Sequence, residues 1–254
     1  MNAPGDFQGQ CAVVTGAATG IGEAAARELA RRGCAVCVMD IDAGGAGRVA
    51  GAIREAGGEA FDSVTDLMDW EATRRGVEEA HDKKGRLDIV VHCAGGFPEY
   101  VSLMDCPVEA WDGVVNSNLR SMFYLLKAAA PLMIQARYGR FVALSSMAAR
   151  SGVNPNPPHY TAAKGGVLAL ARQAARELAP HGITVNAVAP ANVRTPRTLA
   201  MRSEERIRHI ERTTPAGRLS EPGEVAAAVV FLCGPEAGYI TGATLDVNGG
   251  ATMV

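Results

Sequence analysis

Tyr160 and Lys164 stand four residues apart in YTAAK, a spacing that puts a phenol and an ammonium on one helix face. A phenol with its ordinary pKa of about 10 is a weak base at neutral pH, and a neighbouring ammonium favours the phenolate and lowers that value. Just upstream, the apolar run FVALSS (141–146) ends in two hydroxyls. Serine, phenol and ammonium together suit the oxidation of an alcohol. Tyr160 takes the alcohol proton and Ser146 hydrogen-bonds the developing carbonyl, while hydride leaves for an acceptor. Alone, an i,i+4 Tyr–Lys pair is ordinary surface decoration, so the reading depends on a hydride acceptor close by.

The stretch TGAATGIG (15–22) supplies the place for one. It follows the apolar run CAVV (11–14) and precedes EAAARELARR (23–32), a segment of strong helix formers with an apolar face. A strand-to-helix turn stripped of side chains lets backbone N–H groups approach a phosphate at the helix's positive end. A tight packing corner would have the same glycines. The distinction comes from Asp40, which ends a second apolar run, AVCVM (35–39), where an acid would meet a ribose hydroxyl pair. A 2′-phosphate would want a base near Asp40 or in the glycine turn. Ala17, Ala18, Ile41 and Asp42 offer none, and Asp40 would repel it, so the expected cofactor is NAD.

The elements that must position these groups alternate to the end of the chain. After Asp40 the pattern predicts a helix over about 46–56, a Gly57-Gly58 stop, a short segment ending at Asp66 and a helix over 70–83. LDIVVHCAGG (87–96) is a strand running into a second small-residue turn, and 111–135 reads as one long helix. The proline-bearing loop NPNPP (154–158) precedes a helix over 160–178, and strands follow at TVNAVAP (184–190) and ATLDV (243–247). The class is α/β: a single-domain Rossmann fold over 1–254, a doubly wound parallel sheet with helices on both faces. In such sheets ligands bind at the carboxyl ends of the strands.

Bulk properties exclude other classes. At 254 residues and a net charge of −2, the chain gives no electrostatic case for nucleic acid. The start, MNAPGDFQGQ, lacks a basic segment followed by an apolar one, and no run approaches 18 apolar residues. No membrane partner and a cytoplasmic location are therefore expected. Six cysteines, Cys11, Cys34, Cys37, Cys93, Cys106 and Cys233, lie mostly in apolar runs and read as free thiols. Cys34 and Cys37 form a CxxC, but positions three apart on a strand face opposite ways, and no second pair has metal spacing. No metal is expected.

Seven motifs in order carry a family resemblance: TGAATGIG (15–22), CAG (93–95), NSNL (116–119), LSS (144–146), YTAAK (160–164), NAVAP (186–190) and ITGATLDVNGG (240–250). Over essentially its whole length the chain resembles the short-chain dehydrogenase/reductase family. The resemblance implies a catalytic tetrad of Asn118, Ser146, Tyr160 and Lys164, with Asn118 helping to hold a proton-relay water. It implies cofactor contacts from Gly16, Thr19, Gly20, Ile21, Gly22, Asp40, Asp66, Leu67, Ala94, Gly95, Tyr160, Lys164, Pro190, Val193 and Thr195. Asp66 resembles the acid at the adenine, and Val193 and Thr195 the contacts on the nicotinamide side. A homo-oligomer, tetramer or dimer, is implied as well.

Three departures stand out. His92 and Cys93 replace asparagines of the usual NNAG, Ala191 replaces the glycine of a PG pair, and the gap from Ser146 to Tyr160 is 14 residues, one longer than expected. The last leaves Ser145 open as the active serine.

The substrate clue lies in a lid expected over about 192–215. Seven arginines, Arg194, Arg197, Arg202, Arg206, Arg208, Arg212 and Arg218, fall between Asn192 and Arg218, and Arg150 follows the serines. SEERIRHIER also carries Glu204, Glu205 and Glu211, so much of this charge reads as a solvated face. Arg194 and Arg197, closest to the cofactor loop, and Arg150 are the candidates for binding an anionic small molecule, a hydroxyacyl-CoA thioester or a hydroxy carboxylate. Two alternatives remain: a 3-oxoacyl-thioester reductase drawing on NADPH, and a catalytically silent structural subunit or sensor, against which the intact tetrad speaks.

Overall fold

The computed structural model describes residues 6–152 and 156–253; Asn154 and Pro155 of the proline-bearing loop lie outside them. Seven strands form one parallel sheet in the order β3-β2-β1-β4-β5-β6-β7: β1 (Cys11–Thr15), β2 (Ala35–Asp40), β3 (Glu59–Val64), β4 (Ile89–His92), β5 (Gly139–Leu144), β6 (Ile183–Pro190) and β7 (Thr244–Val247). Each residue of β1, β4, β5 and β6 is buried, which is why these segments read as unbroken apolar runs rather than alternating ones.

Successive side chains enter opposite layers. Val14, Val36 and Val38 pack with α1 (Gly20–Arg31), α2 (Ala43–Glu55) and α9 (Pro222–Cys233) on one face. Val13, Cys37 and Met39 pack with α3 (Trp70–Lys84), α5 (Ser121–Ala136) and α6 (Pro158–Leu178) on the other. Cys34 lies in the first core and Cys37 in the second, so the CxxC is split across the sheet as the strand period requires. The order runs outward from β1 to β3 and then returns to β4 on β1's other side. The crevice at the carboxyl ends of β1 and β4 is the topological switch point.

Two elements differ from expectation by more than a residue or two. α2 begins three residues early because Asp42 caps it, its carboxylate accepting from the Gly45 N–H at 3.1 Å; the sequence AGGAG hides that start. The single helix expected over 111–135 is α4 (Val108–Val115), a π-helical turn over Asn116–Arg120, and then α5. Side chains compete with the backbone there: Ser117 Oγ and Asn118 Nδ2 both donate to the Val114 carbonyl, and Ser121 Oγ donates to that of Ser117. After β6 come α7 (Pro196–Ala200), capped by Thr195, and α8 (Glu204–Thr213), capped by Ser203. No helix among the described residues is long and apolar enough to cross a membrane.

Candidate active site

The glycine turn is closed on itself and on the turn after β4. Gly16 has φ +60°, and a Cβ there would stand 2.7 Å from the Ala94 nitrogen. A Cβ on Gly22 would stand 2.2 Å from the Gly16 carbonyl oxygen. Both contacts are with backbone, so neither position accepts a side chain without moving the turn. Gly20, with φ +63°, brings its Cα side against the Thr195 methyl group. Asp40 braces the same turn: Oδ2 accepts from the Ala18 N–H at 2.9 Å and Oδ1 from the Asp42 N–H at 3.0 Å.

A cavity of about 610 Å³ extends from this turn to α8, and every residue expected at the cofactor lines it, from Gly16 and Asp40 through Asp66, Leu67, Ala94 and Gly95 to Pro190, Val193 and Thr195. Its bare glycine turn, an acid at the end of β2 and a second small-residue turn fit a dinucleotide's pyrophosphate and ribose. One base near the turn escaped the sequence reading: Arg48 Nη2 donates to the Ala18 carbonyl at 2.6 Å. It sits one turn into α2, too far along the chain for spacing to reveal, and is ion-paired with Glu23 at 3.2 Å.

Both serines border the cavity, and their partners tell them apart. Ser145 is buried and donates to the Lys164 carbonyl at 2.9 Å. Ser146 lines the cavity, accepts from the Ala148 N–H at 3.1 Å and lies near enough to the Tyr160 phenol to favour its ionised form. Lys164, also buried, donates from Nζ to the Leu144 carbonyl at 2.7 Å and stands 5.7 Å from the Tyr160 ring centroid. Asn118 lies behind the cavity: Nδ2 donates to the Gly96 carbonyl and Oδ1 accepts from the Gly96 N–H, both at 2.8 Å. Gly95, at φ +118°, has no room for a Cβ because Asn118 Oδ1 would be 2.3 Å away. Asn118 thus holds the β4 turn shut with its side chain.

Electrostatics correct one expectation. Burial pushes the Tyr160 phenol up, outweighing the Ser146 hydroxyl and the Arg197 and Arg202 guanidiniums, which favour the phenolate. Burial also draws Lys164 down to about 8. The protein alone therefore presents a protonated phenol at neutral pH. His92 is fully buried and its Nε2 stands 3.0 Å from Ser121 Oγ; since that hydroxyl donates to Ser117, the imidazole is the donor. Burial, then Lys164, lower its pKa to about 3, so it is a neutral packing group. Cys93 lines the cavity with its thiol pushed up to about 12 by burial.

The arginines need the largest correction. Arg150 turns away from the cavity and forms a two-point ion pair with Asp246 at 3.0 and 3.1 Å. Arg194 is held by Glu211 and Glu221, both at 3.2 Å. Each is satisfied within the protein, and neither lines the cavity. Arg197 does line it and donates from Nη1 to the Gly95 carbonyl at 2.6 Å. Arg202 and Arg206 line it too, with the aromatic pair Phe97 and Tyr100. Sequence spacing ranked the arginines by distance from Pro190, whereas the fold of α7 and α8 decides which turn inward. The aromatics directly after the GG turn were a usable signal.

With the geometry in place, comparison with known proteins is informative. A family described as enoyl-(acyl carrier protein) reductase matches residues 16–252. The chain is 39% identical over 249 residues to the 3-oxoacyl-(acyl-carrier-protein) reductase of Vibrio harveyi, covering 98% of this chain and 100% of that protein. It is 38% identical over 249 residues to the short-chain reductase protein NovJ of Streptomyces niveus, covering 96% and 94%. A solved 7 alpha-hydroxysteroid dehydrogenase complexed with NADH and 7-oxo glycochenodeoxycholic acid has a TM-score of 0.92 at 32% identity, covering 98% and 97%. A short-chain type dehydrogenase/reductase from Mycobacterium ulcerans has a TM-score of 0.92 at 31% identity, covering 96% and 90%.

Proposed function

The chain belongs to the short-chain dehydrogenase/reductase family and is an oxidoreductase of it, and on that premise we propose that it interconverts a secondary alcohol and a ketone with NAD. The observation that carries the reading is the convergence of Ser146 and Tyr160 on the cavity whose far end is closed by Asp40 and the glycine turn. Gly16, Thr19, Gly20, Ile21 and Gly22 would hold the pyrophosphate, Asp40 the adenosine ribose, and Lys164 the other ribose. A nicotinamide held there would supply the acceptor or donor of the hydride. Tyr160 gives its proton to the carbonyl oxygen in reduction and takes it from the alcohol in oxidation, with Ser146 hydrogen-bonding the same oxygen. Asn118 fixes the turn against which the ring would rest, and residues 192–215 act as the lid. The raised phenol pKa suits reduction at neutral pH.

Asp40 supports NAD, because its carboxylate, held by two backbone N–H groups, would stand against a 2′-phosphate. Arg197 in the cavity wall supports an anionic substrate, a hydroxyacyl-CoA thioester or a hydroxy carboxylate. The test is nicotinamide absorbance with purified protein, NAD or NADP, and a panel of secondary alcohols and ketones. No hydride transfer with any member in either direction would count against the reading.

A second reading, reduction of 3-oxoacyl thioesters with NADPH, is favoured by the names of relatives such as the Vibrio harveyi protein. Turnover of acetoacetyl-CoA with NADPH in preference to NADH would select it. A cytoplasmic homo-oligomer is part of the first reading: Phe231, Tyr239 and Leu245, near the β7 edge, are exposed apolar groups that a second copy would cover. Light scattering tests this.

A further inference from the structure

Three aromatic rings line one wall of the cavity in sequence. The Phe97 ring stands 4.8 Å from that of Tyr160 and 5.1 Å from that of Tyr100, edge to face in both cases. The wall ends in charge, because Arg202 Nη2 donates to the Tyr100 hydroxyl at 3.1 Å. Beyond it an open side cavity of about 310 Å³ is lined by Tyr100, Met201, Arg202, Ser203 and Arg206, and all but Ser203 line the main cavity as well.

The cations here differ from their neighbours. Arg194, Arg208 and Arg218 are each in an ion pair. Arg202 and Arg206 are half-buried and face the cavity with no carboxylate partner among the described residues. Nη1 of Arg202 is shut off from solvent with no hydrogen-bond partner among them. A guanidinium N–H kept from both water and protein acceptors is costly, and native structures rarely carry one without use. Two half-buried guanidiniums on the wall of one small cavity repel unless an anion lies between them.

We propose that Arg202 and Arg206, with Tyr100 as their brace, form an oxyanion subsite for the carboxylate of an apolar-bodied keto or hydroxy acid whose reacting carbon lies at Tyr160. The proposal rests on the dehydrogenase reading above and sharpens its substrate class. Arg202 and Arg206 both line the side cavity, and two guanidinium forks suit the two oxygens of a carboxylate. Phe97, Tyr100 and Met201 then cover the apolar body. The anion is separated from the reacting carbon by the length of the aromatic wall, so a short 2- or 3-hydroxy acid does not reach both ends.

Calorimetric titration of 8-oxononanoate, its primary amide and the short 4-oxopentanoate tests this without needing turnover. The unmodified protein should bind 8-oxononanoate about tenfold or more tighter than the amide. Arg202→Met and Arg206→Met should each remove that advantage and leave amide binding and the melting temperature unchanged, whereas Arg202→Lys should restore part of it. Equal binding of acid and amide, or variants that weaken both alike, overturns the subsite. An equal gain for 4-oxopentanoate overturns the spacing, and much tighter binding of octyl phosphate overturns the choice of carboxylate. Arginine-dependent binding with no reduction of the ketone leaves the subsite standing and removes the dehydrogenase reading instead.

Discussion

Ser145, although it too borders the cavity, donates its hydroxyl to the Lys164 carbonyl, 2.9 Å away, which ties the end of β5 to the first turns of α6. Its neighbour Ser146 lies on the same cavity wall, near enough to the Tyr160 phenol to favour its ionised form. Ser146→Ala should therefore lower kcat about a hundredfold or more, as loss of a donor to the reacting oxygen does. Ser145→Ala should leave kcat within a few-fold and reduce stability by about 1 kcal/mol, the worth of one buried hydrogen bond. Steady-state rates and denaturant midpoints for the two variants check both halves, and the reverse ranking would sink the assignment.

Cofactor choice should depend on Asp40. Its two hydrogen bonds to the Ala18 and Asp42 amides fix a carboxylate at the end of β2, where the proposed reading puts the adenosine ribose, and Arg48 beside the turn is engaged by Glu23. kcat/KM should favour NAD over NADP by a hundredfold or more, about 3 kcal/mol. Asp40→Ala should narrow the gap mainly by improving NADP. Comparable efficiency with both cofactors in the unmodified enzyme would overturn the claim.

What the sequence reveals and what it hides divide along physical lines. The cofactor turn is local: Gly16, Gly22 and Asp40 carry their meaning in spacing along one strand-turn-helix-strand unit, so motif and structure coincide. The same holds for Tyr160 and Lys164, one helical turn apart. Ionisation is not local. The phenol's upward shift comes from burial among groups remote in sequence, which an i,i+4 argument omits. Nor is the pairing of arginines: Arg150 meets Asp246, 96 residues on, and Arg194 meets Glu211 and Glu221. Charge counting saw a basic lid, and only the packing of α7 and α8 separates Arg202 and Arg206 from the rest. The break at Asn118 was masked because Asn116–Arg120 continues a helical pattern while its polar side chains draw carbonyls out of register.

The turn itself is testable at Gly22. A methyl group there would sit 2.2 Å from the Gly16 oxygen, and both partners are backbone, so the turn must open to admit it. Gly22→Ala should weaken NAD binding more than tenfold and cost about 1–3 kcal/mol of stability, the usual penalty for overpacking. Gly47→Ala, where a Cβ meets nothing within 4 Å, is the control and should be neutral or slightly stabilising in mid-helix. Retention of unmodified NAD affinity by Gly22→Ala would show that the cradle is looser than its geometry states.

Lys164 links catalysis to stability through pH. Burial lowers its pKa from the ordinary 10.5 to about 8, so below pH 8 both folded and unfolded chains carry the ammonium and the folded one bears the full desolvation cost. Between about 8 and 10.5 the folded chain has released a proton that the unfolded chain still holds, and stability gained from this group rises with pH. It is fully present above 10.5 and lost as pH falls through 8. At about 1.4 kcal/mol per unit, the cost at neutral pH is about 3 kcal/mol at most. Lys164→Met should therefore abolish turnover yet raise the melting temperature at pH 7, by an amount reduced by the lost bond to the Leu144 carbonyl. The buried thiols act in the opposite sense: Cys11 and Cys93 are pushed up to about 12, so each contributes stability below pH 9 that is lost as pH rises. The quantity to follow is accordingly the difference between the two proteins, measured by denaturant unfolding from pH 7 to 9.5. That difference should shrink steadily with rising pH, and a constant or growing difference would mean that the ammonium is not paying a burial cost at all.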